Sequence, residues 1–242
     1  MHIAGKKITL TGATGGIGKA LLSLLGSAAD IQLIKRDTHG DLVDNLETIC
    51  LQIQAFDPDI IIHLAGFNEF ALSEDQHYNR LIDVNLRIPM EITQRLLPQL
   101  KRKKQAQVVF IGSMMGLISM PYYTGYVAAK AGLKGYADSL RRELGATQIT
   151  ITHVVPRAVD TAMNTAQSRE VHSLTGVKHD TPESVAQIIL NAIKHEKREV
   201  RIGFPERLFA IIQSLFPRLI DSGLSKNNRV SEQVLEKRVN QS

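Results

Sequence analysis

A turn with four glycines separates the first predicted strand of this chain from its first predicted helix. The strand is the apolar run Lys7–Thr11, and the helix after the glycines is rich in leucine. Such a turn leaves backbone N–H groups free at a helix N-terminus, where they and the helix dipole bind a pyrophosphate. Glycines also form ordinary turns, but this position favours a nucleotide-binding loop. Its candidate binding residues are Gly12, Thr14, Gly16, Ile17 and Gly18.

Strand and helix patterns alternate along the rest of the chain. Predicted strands lie at 7–11, 31–34, 59–64, 108–111 and 149–155, and predicted helices at 79–104, at 126–145 and from a Thr181-Pro182 cap. This alternation predicts βαβ units in a parallel sheet. We therefore expect an α/β fold, a doubly wound parallel sheet (Rossmann fold) over residues 1–200. A C-terminal helical appendage at 201–225 and a polar tail at 226–242, which we expect to fray, follow it.

The composition, with 43% apolar and 22% charged residues, is that of an ordinary globular protein. The formal net charge is +5, and most of the basic excess follows residue 193. This distribution argues against a nucleic-acid partner and leaves room for a local surface interaction. The single cysteine, Cys50, excludes an intrachain disulfide and a multi-cysteine metal site, so we expect no metal and a cytoplasmic location.

The second predicted strand ends in two cations, Lys35 and Arg36. In dinucleotide-binding folds this strand end faces the adenosine ribose, where an acidic residue selects NAD and basic residues accommodate the 2′-phosphate of NADP. Asp37 follows directly and is the contrary signal. The two cations favour NADP(H) as the cofactor.

Tyr126 and Lys130 lie four residues apart on a predicted helix and therefore share one face. A tyrosine with the ordinary pKa of ~10 is a poor acid or base at neutral pH. A neighbouring ammonium stabilises the phenolate, so we expect Lys130 to lower the pKa of Tyr126. Alone, this pair is weak evidence, because many helices carry it on their surface.

Further small or polar residues follow the other predicted strands, where strand ends face the crevice of an open α/β sheet. In chain order the motifs are Thr11-Gly12-x-x-x-Gly16-x-Gly18, Ala65-Gly66, Asn85, Ser113, Tyr126-x-x-x-Lys130 and Pro156-x-x-x-x-Thr161. Together, over about residues 6–200, this ordered set resembles the short-chain dehydrogenase/reductase family.

The resemblance implies a catalytic group and a homo-oligomeric enzyme. Tyr126 would exchange a proton with the substrate oxygen, Ser113 would hydrogen-bond that oxygen, and Lys130 would lower the tyrosine pKa and hold the nicotinamide ribose. Asn85 would anchor a water in the proton relay. Thr161 would bind the nicotinamide carboxamide. The other cofactor contacts that the resemblance implies are Ala65, Gly66, Pro156 and Val159.

The chain departs from the family pattern in two places before the catalytic motif. The segment from Arg36 to Ala65 is short, and we expect His39–Leu42 to stand for the third strand, with Asp41 and Leu42 at the adenine site. His63 replaces an asparagine that is usual in the family. We interpret His63 as a buried, hydrogen-bonded structural residue.

Arg157 stands where glycine is common in the family, directly after Pro156. An arginine at the rim of the substrate crevice can bind a carboxylate or phosphate. We expect Arg157 to contact an acidic substrate or carrier group, with a surface arginine pointing away as the alternative. Met114 lies beside the catalytic serine and would suit an adaptable apolar substrate pocket.

Apolar residues are concentrated between Phe204 and Ile220, interrupted by Pro205 and Pro217 and flanked by arginines. No segment approaches the ~20 apolar residues of a membrane-spanning helix. One interpretation is a lid or subunit-contact helix. The other is an amphipathic helix on a membrane surface, with its basic flanks on anionic lipids. Both favour an apolar substrate.

These observations predict an NADP-dependent oxidoreductase acting on a small carbonyl or alcohol substrate, of hydrophobic or acyl type, with Tyr126 as general acid/base. Two alternatives stay open. One is an epimerase or dehydratase on the same fold, which would show no net NADPH turnover. The other is a nucleotide-sensing binding protein with a silent site, which would keep its cellular function in a Tyr126→Phe variant.

Overall fold

The computed structural model describes residues 1–239; residues 240–242, the end of the predicted polar tail, lie outside the described part. The strands are β1 (Lys7–Thr11), β2 (Asp30–Ile34), β3 (Ile60–His63), β4 (Ala106–Ile111), β5 (Ile149–Val155) and β6 (Glu199–Arg201). They form one sheet in the order β2-β1-β3-β4-β5-β6, and every pair is parallel. The predicted doubly wound parallel sheet is confirmed.

Helices connect the strands and follow the last one. They are α1 (Gly16–Leu25), α2 (Arg36–His39), α3 (Leu46–Phe56), α4 (Tyr78–Ile82), α5 (Ile88–Leu100), α6 (Thr124–Glu143), α7 (Ala166–Thr175), α8 (Pro182–Lys194), α9 (Phe204–Leu215) and α10 (Pro217–Val239). A π-helical turn, Asp83–Arg87, joins α4 to α5. The helix predicted at 79–104 is therefore continuous, but it contains a wider turn and ends at Leu100.

Both faces of the sheet are covered by helices. Successive strand residues point to opposite faces, and in β3 they alternate between two separate cores. Ile61 joins the core beneath α3, α5 and α6, whereas Ile60 and Ile62 join the core beneath α1 and α8. All four residues of β3 are buried. Polar side chains that can contact a ligand therefore lie in the loops at the strand ends.

The expected strand at His39–Leu42 is absent, so that prediction is wrong. Residues 36–39 form the single helical turn α2, and Gly40 then takes a positive φ of +73°. The Asp41 carboxylate accepts a hydrogen bond from the Val43 N–H at 3.0 Å. These local hydrogen bonds hold the segment in a turn, so it does not pair with the sheet. The strand β2 therefore forms the sheet edge.

The C-terminal appendage consists of two helices. Pro205 lies in the first turn of α9 and Pro217 begins α10, positions at which the missing N–H of proline is not needed. The prolines therefore start helices rather than interrupt one. Among residues 1–239, no helix is both long enough and apolar enough to cross a membrane.

The prediction that the chain frays from about residue 226 is wrong as far as the described residues extend. Helix α10 continues to Val239. Its inner side is held by tertiary contacts: Ser231 and Val234 are buried, and Val234 packs in one cluster with Val171 of α7 and Tyr123. Packing against α7 stabilises a segment that is too polar to predict as a stable helix.

His63 is buried at the end of β3, and the prediction of a structural role is confirmed. Its Nε2 lies 2.9 Å from the Thr93 hydroxyl. That hydroxyl donates its hydrogen to the Pro89 carbonyl at 2.7 Å, so Nε2 carries the proton and donates to Thr93. The ring stacks on Phe110 with 5.2 Å between centroids. Burial lowers the pKa of His63 to about 3.

This low pKa predicts a loss of stability in mild acid. As pH falls below the ordinary histidine value of ~6.5, the unfolded chain takes up a proton that folded His63 does not. The contribution of the neutral His63 ring to the free energy of unfolding is complete above the ordinary histidine pKa and is lost as pH falls towards 3. At pH ~5 we expect this group to lower the free energy of unfolding by about 2 kcal/mol.

Urea unfolding at neutral pH and at pH ~5 measures this loss. His63→Gln keeps an N–H donor for Thr93 but does not titrate, so it should remove most of the pH dependence. An unchanged pH dependence in His63→Gln would assign the loss to another group. His172, whose burial lowers its pKa to about 4, is the next candidate.

Candidate active site

A cavity of about 910 Å³ opens at the carboxyl ends of the strands, where ligands bind in open α/β sheets. The predicted residues that line it are Gly12, Thr14, Gly16, Ile17, Lys35, Arg36, Asp41, Leu42, Ala65, Gly66, Ser113, Met114, Tyr126, Lys130, Pro156, Arg157, Val159 and Thr161. Two predicted residues, Gly18 and Asn85, are buried behind its wall. One cavity thus brings together residues that are more than 140 positions apart in the chain.

The glycine loop requires close backbone approach at two positions. Gly12 has a φ of +75°, and a Cβ on it would lie 2.4 Å from the Ala65 backbone nitrogen. A Cβ on Gly18 would lie 2.5 Å from the Gly12 carbonyl oxygen, so Gly18 allows α1 to close on the loop. Within the described residues no side chain caps α1. The N–H groups of its first turn, at Gly16 and Ile17, can therefore hold a pyrophosphate.

The loop after β5 closes over this glycine loop. A Cβ on Gly16 would lie 3.0 Å from Cγ2 of Thr161, so the two loops are in contact. The Pro156 carbonyl accepts a hydrogen bond from the Met114 N–H at 2.8 Å, which ties the same loop to the one after β4. The predicted nicotinamide residues therefore lie between the predicted pyrophosphate loop and the predicted catalytic serine.

Ser113 is held at the end of β4 by a short 3-10 turn, Met114–Gly116. Its hydroxyl accepts a hydrogen bond from the Met115 N–H at 3.1 Å. A Cβ on Gly116 would lie 2.8 Å from the Lys130 carbonyl carbon, so this turn lies directly on α6. The contact brings Ser113 next to Tyr126.

Tyr126 and Lys130 are buried one turn apart on α6. The Lys130 ammonium donates a hydrogen bond to the Ile111 carbonyl at 2.9 Å and lies 5.6 Å from the centroid of the Tyr126 ring. Burial lowers the pKa of Lys130 to about 8. Burial also raises the pKa of Tyr126 to about 12, and the neighbouring Ser113 hydroxyl opposes this only in part.

The expectation that Lys130 lowers the pKa of Tyr126 is therefore wrong for this structure. Desolvation disfavours the charged form of both groups, and at Tyr126 it outweighs the opposing hydrogen bond with Ser113. Tyr126 is a protonated hydroxyl at neutral pH, which is the form that can donate a proton.

Asn85 lies in the π-helical turn, and its side chain is fully buried. The amide nitrogen donates to the carbonyls of Phe67 at 2.6 Å and Leu81 at 2.9 Å, and the amide oxygen accepts from the Phe67 N–H at 3.3 Å. Both amide hydrogens are therefore committed. The side chain fixes the loop after β3; a water-anchoring role for Asn85 stays a prediction.

At the other end of the cavity, the Asp41 carboxylate is paired with two arginines. Its Oδ2 lies 2.6 Å from Arg80 and 3.4 Å from Arg36. The hydrogen bond from Arg80 lowers the pKa of Asp41 despite partial burial. Sequence reasoning missed Arg80, which also lines the cavity. No local pattern marks it, because its partner is 39 residues away.

Arg157 lines the cavity, but its guanidinium is occupied. It donates to both carboxylate oxygens of Asp180, at 3.0 and 2.7 Å, and to Glu206 of α9 at 3.3 Å. Two carboxylates offset its one charge, so Arg157 is not available to an acidic substrate in this structure. Neither predicted orientation is found, because Arg157 instead ties α9 to the loop before α8.

The remaining wall of the cavity is largely apolar and comes from segments that sequence reasoning did not assign to the site. The loop and lid residues that line it include Met115, Ile118, Met120, Met163, Val171, His172, Phe209 and Leu224. Met114 next to them was predicted to suit an apolar pocket, whereas His172 and Leu224 carry no local signal. They reach the site only because α7 and α10 pack together.

The parallel sheet, the glycine loop and the Ser-Tyr-Lys group on the cavity wall define a Rossmann-type oxidoreductase. A family model described as short chain dehydrogenase (adh_short) matches residues 29–172, more than half of the chain. The chain belongs to the short-chain dehydrogenase family.

Curated relatives and solved structures are similar over most of the chain. The ketoacyl reductase HetN of Nostoc sp. (strain PCC 7120) is 29% identical over 233 residues, 83% of this chain and 79% of its own. A short chain dehydrogenase from Burkholderia cenocepacia J2315 in complex with NADP superimposes with a TM-score of 0.77 at 18% identity, over 93% and 99% of the two chains. A 4-hydroxyisoleucine dehydrogenase complexed with NADH gives 0.72 at 22% identity, over 82% and 97%. These structural likenesses confirm the fold alone.

Proposed function

We propose that this protein is an NADP(H)-dependent reductase of an apolar or acyl-type carbonyl compound, with Tyr126 as the general acid. The observation that carries the proposal is the placement of Ser113, Tyr126 and Lys130 in the same cavity as the glycine loop. When bound, the cofactor supplies the hydride. The chain supplies the position of the reacting groups and the proton.

Within this proposal Ser113 and Tyr126 hold the substrate oxygen through their hydroxyls, and Tyr126 donates its proton to that oxygen. The high pKa of Tyr126 keeps it protonated at neutral pH, which is the form that can donate a proton. Lys130 holds the nicotinamide ribose. Asn85 keeps the loop at Phe67 in position behind these groups.

NADP is the proposed cofactor because Lys35 and Arg36 lie at the end of β2, on the cavity wall. Asp41, a carboxylate at the same end of the cavity, is already paired with Arg80. Arg36 also lies 3.4 Å from that carboxylate, but its side chain is 77% exposed. A guanidinium suits a phosphate because it offers several N–H donors in one plane.

Arg36→Ala should therefore weaken NADPH binding about tenfold and leave NADH binding nearly unchanged, because NADH has no 2′-phosphate. Fluorescence titration with each cofactor measures both Kd values. Arg102→Ala, an exposed arginine after α5, is the matched control. An equal loss for both cofactors would place Arg36 at a part that they share and would contradict the assignment.

The apolar character of the substrate is proposed from the methionines, Phe209 and Leu224 on the cavity wall. Methionine side chains adapt to irregular apolar ligands. The name of the HetN relative, a ketoacyl reductase, points to the same substrate class. The test is NADPH oxidation by the purified protein with carbonyl compounds of increasing chain length, with NADH as the comparison. Activity that rises with chain length supports the proposal, and NADPH binding without turnover contradicts it.

We also propose a cytoplasmic homo-oligomer, from the family resemblance and from the single, buried Cys50 thiol. Sedimentation velocity of the purified protein gives the number of subunits, and a concentration-independent monomer would contradict this part.

A further inference from the structure

Helix α9 has its apolar face towards solvent. Phe204, Leu208, Ile211 and Leu215 recur at spacings of four, three and four residues and are between 50% and 79% exposed. This spacing places them in one stripe along the helix. A surface helix of a globular protein normally turns such a stripe towards the core.

The opposite face of α9 is more polar and points inward. Ala210 is buried there, and Glu206 and Gln213 beside it are half-buried. Glu206 binds Arg157 through Oε1. Its Oε2 and the Oε1 of Gln213 are buried without a hydrogen-bond partner in the described part of the protein. The helix therefore keeps polar groups inside at a cost while its apolar groups stay outside, which indicates a medium other than water on its outer side.

The start of α10 extends the same surface. Phe216 and Leu219 are also exposed and lie next to the end of α9. We call the combined set the apolar lid surface: Phe204, Leu208, Ile211, Leu215, Phe216 and Leu219. A contiguous patch of this kind on a protein marks an interaction site.

A basic groove of about 350 Å³ adjoins the apolar lid surface. It is lined by Lys197, Arg201 and Arg207, and by Ile211 of the apolar stripe itself. Glu199 also lines it, but that carboxylate is paired with Arg201 at 2.6 Å. The groove is therefore net positive and begins where the apolar stripe lies, the arrangement that fits an anionic headgroup above acyl chains.

The same two helices form a wall of the cavity. Pro205 and Phe209 of α9 and Leu224 and Ser231 of α10 line it from inside. An apolar molecule held against the outer side of these helices is thus separated from the catalytic groups by the helices alone.

We propose that α9 and the start of α10 dock on an anionic membrane surface, with phospholipid phosphates in the basic groove, and that the substrate enters the cavity from that bilayer. The second half rests on the proposed function, whereas the docking does not. A second copy of this chain fits the surface less well. A two-fold contact would bring the same patch against itself, and with it two basic grooves of like charge.

The test is co-sedimentation of the 242-residue chain with vesicles of phosphatidylcholine, alone and mixed three to one with phosphatidylserine. We expect binding to the mixed vesicles that weakens with added salt. Leu208→Ser should weaken it about fivefold by removing apolar contact. Leu51→Ser on α3, an equally exposed leucine, should not weaken it.

The contribution of charge to vesicle binding is tested by comparing Arg207→Glu with Arg102→Glu, since both variants change the net charge of the protein by the same amount. Only Arg207→Glu should lose the preference for phosphatidylserine. Absence of vesicle binding, or equal effects of each variant and its control, would overturn the docking. A Leu208→Ser protein that binds vesicles normally but changes its oligomeric state would make the surface a subunit contact instead.

Different results would contradict the membrane docking and the proposed reductase activity. Leu208 does not line the cavity, so Leu208→Ser should reduce a short, water-soluble carbonyl compound at the wild-type rate. Its deficit should appear only with a long-chain substrate presented in anionic vesicles. Loss of turnover with every substrate while vesicle binding persists would contradict the reductase and leave the docking intact.

Discussion

The Tyr126→Phe protein is expected to reduce carbonyl substrates about a thousandfold more slowly than the wild type, because general acid catalysis contributes roughly 10²- to 10⁴-fold. The change removes one hydroxyl from a buried side chain and leaves its ring in the cluster that contains Phe70 and Leu81. We therefore expect folding and NADPH binding to persist. The measurements are kcat for NADPH oxidation and the Kd for NADPH.

Tyr123→Phe is the matched control. Tyr123 is also buried, lines the same cavity and belongs to the same cluster, and burial raises its pKa to about 12 as well. It precedes α6, away from Lys130, and we expect kcat to stay within a few-fold of the wild type. Equal losses in the two variants would indicate a packing effect. Wild-type turnover in Tyr126→Phe would remove the proton-donor role. Retained cellular function in a Tyr126→Phe protein that has lost turnover would favour the nucleotide-sensing alternative.

Gly12→Ala is expected to weaken NADPH binding by at least about a hundredfold and to lower the free energy of unfolding by about 2 to 4 kcal/mol. The new Cβ would lie 2.4 Å from the Ala65 nitrogen, and a backbone atom cannot move aside as a flexible side chain can. The loop must shift, and the N–H groups of Gly16 and Ile17 shift with it. Cofactor titration and thermal unfolding measure the two effects.

Gly5→Ala separates steric clash from backbone strain. Gly5 has nearly the same φ, +73°, but a Cβ on it would meet nothing within 4 Å. We expect a loss of about 1 kcal/mol from the positive φ alone, with no change in NADPH affinity. If Gly5→Ala and Gly12→Ala were equally destabilised and both bound NADPH, the close approach at Ala65 would have no role in the site.

Local patterns predicted those parts of the fold that local interactions determine. The strand at Ile149–Val155 and the cap at Thr181 are correct to the residue. The Thr181 hydroxyl accepts a hydrogen bond from the Ser184 N–H at 3.2 Å, as its position before Pro182 predicts. The predicted strand at His39–Leu42 failed for the same kind of reason, because Gly40 and Asp41 favour a turn.

Long-range packing accounts for what the sequence did not reveal. The motifs placed Tyr126 and Lys130 on one helix face, but the pKa of each depends on burial depth, which spacing alone does not give. Arg157 was correctly placed at the crevice, yet its partners Asp180 and Glu206 are 23 and 49 residues away. The ion pair between Arg157 and Glu206 forms only once α9 has folded over the site.

The π-helical turn at Asp83–Arg87 restricts insertions and deletions between α4 and α5. One residue more or less in a helix rotates everything beyond it by about 100°. The turn therefore sets the rotational phase between α4, which directs Arg80 to Asp41, and α5, which directs Thr93 to His63. Deleting a single residue here would misalign the end of the cavity at Asp41 with the core of the sheet. We thus expect side-chain substitutions in this turn to be tolerated more readily than any change in its length.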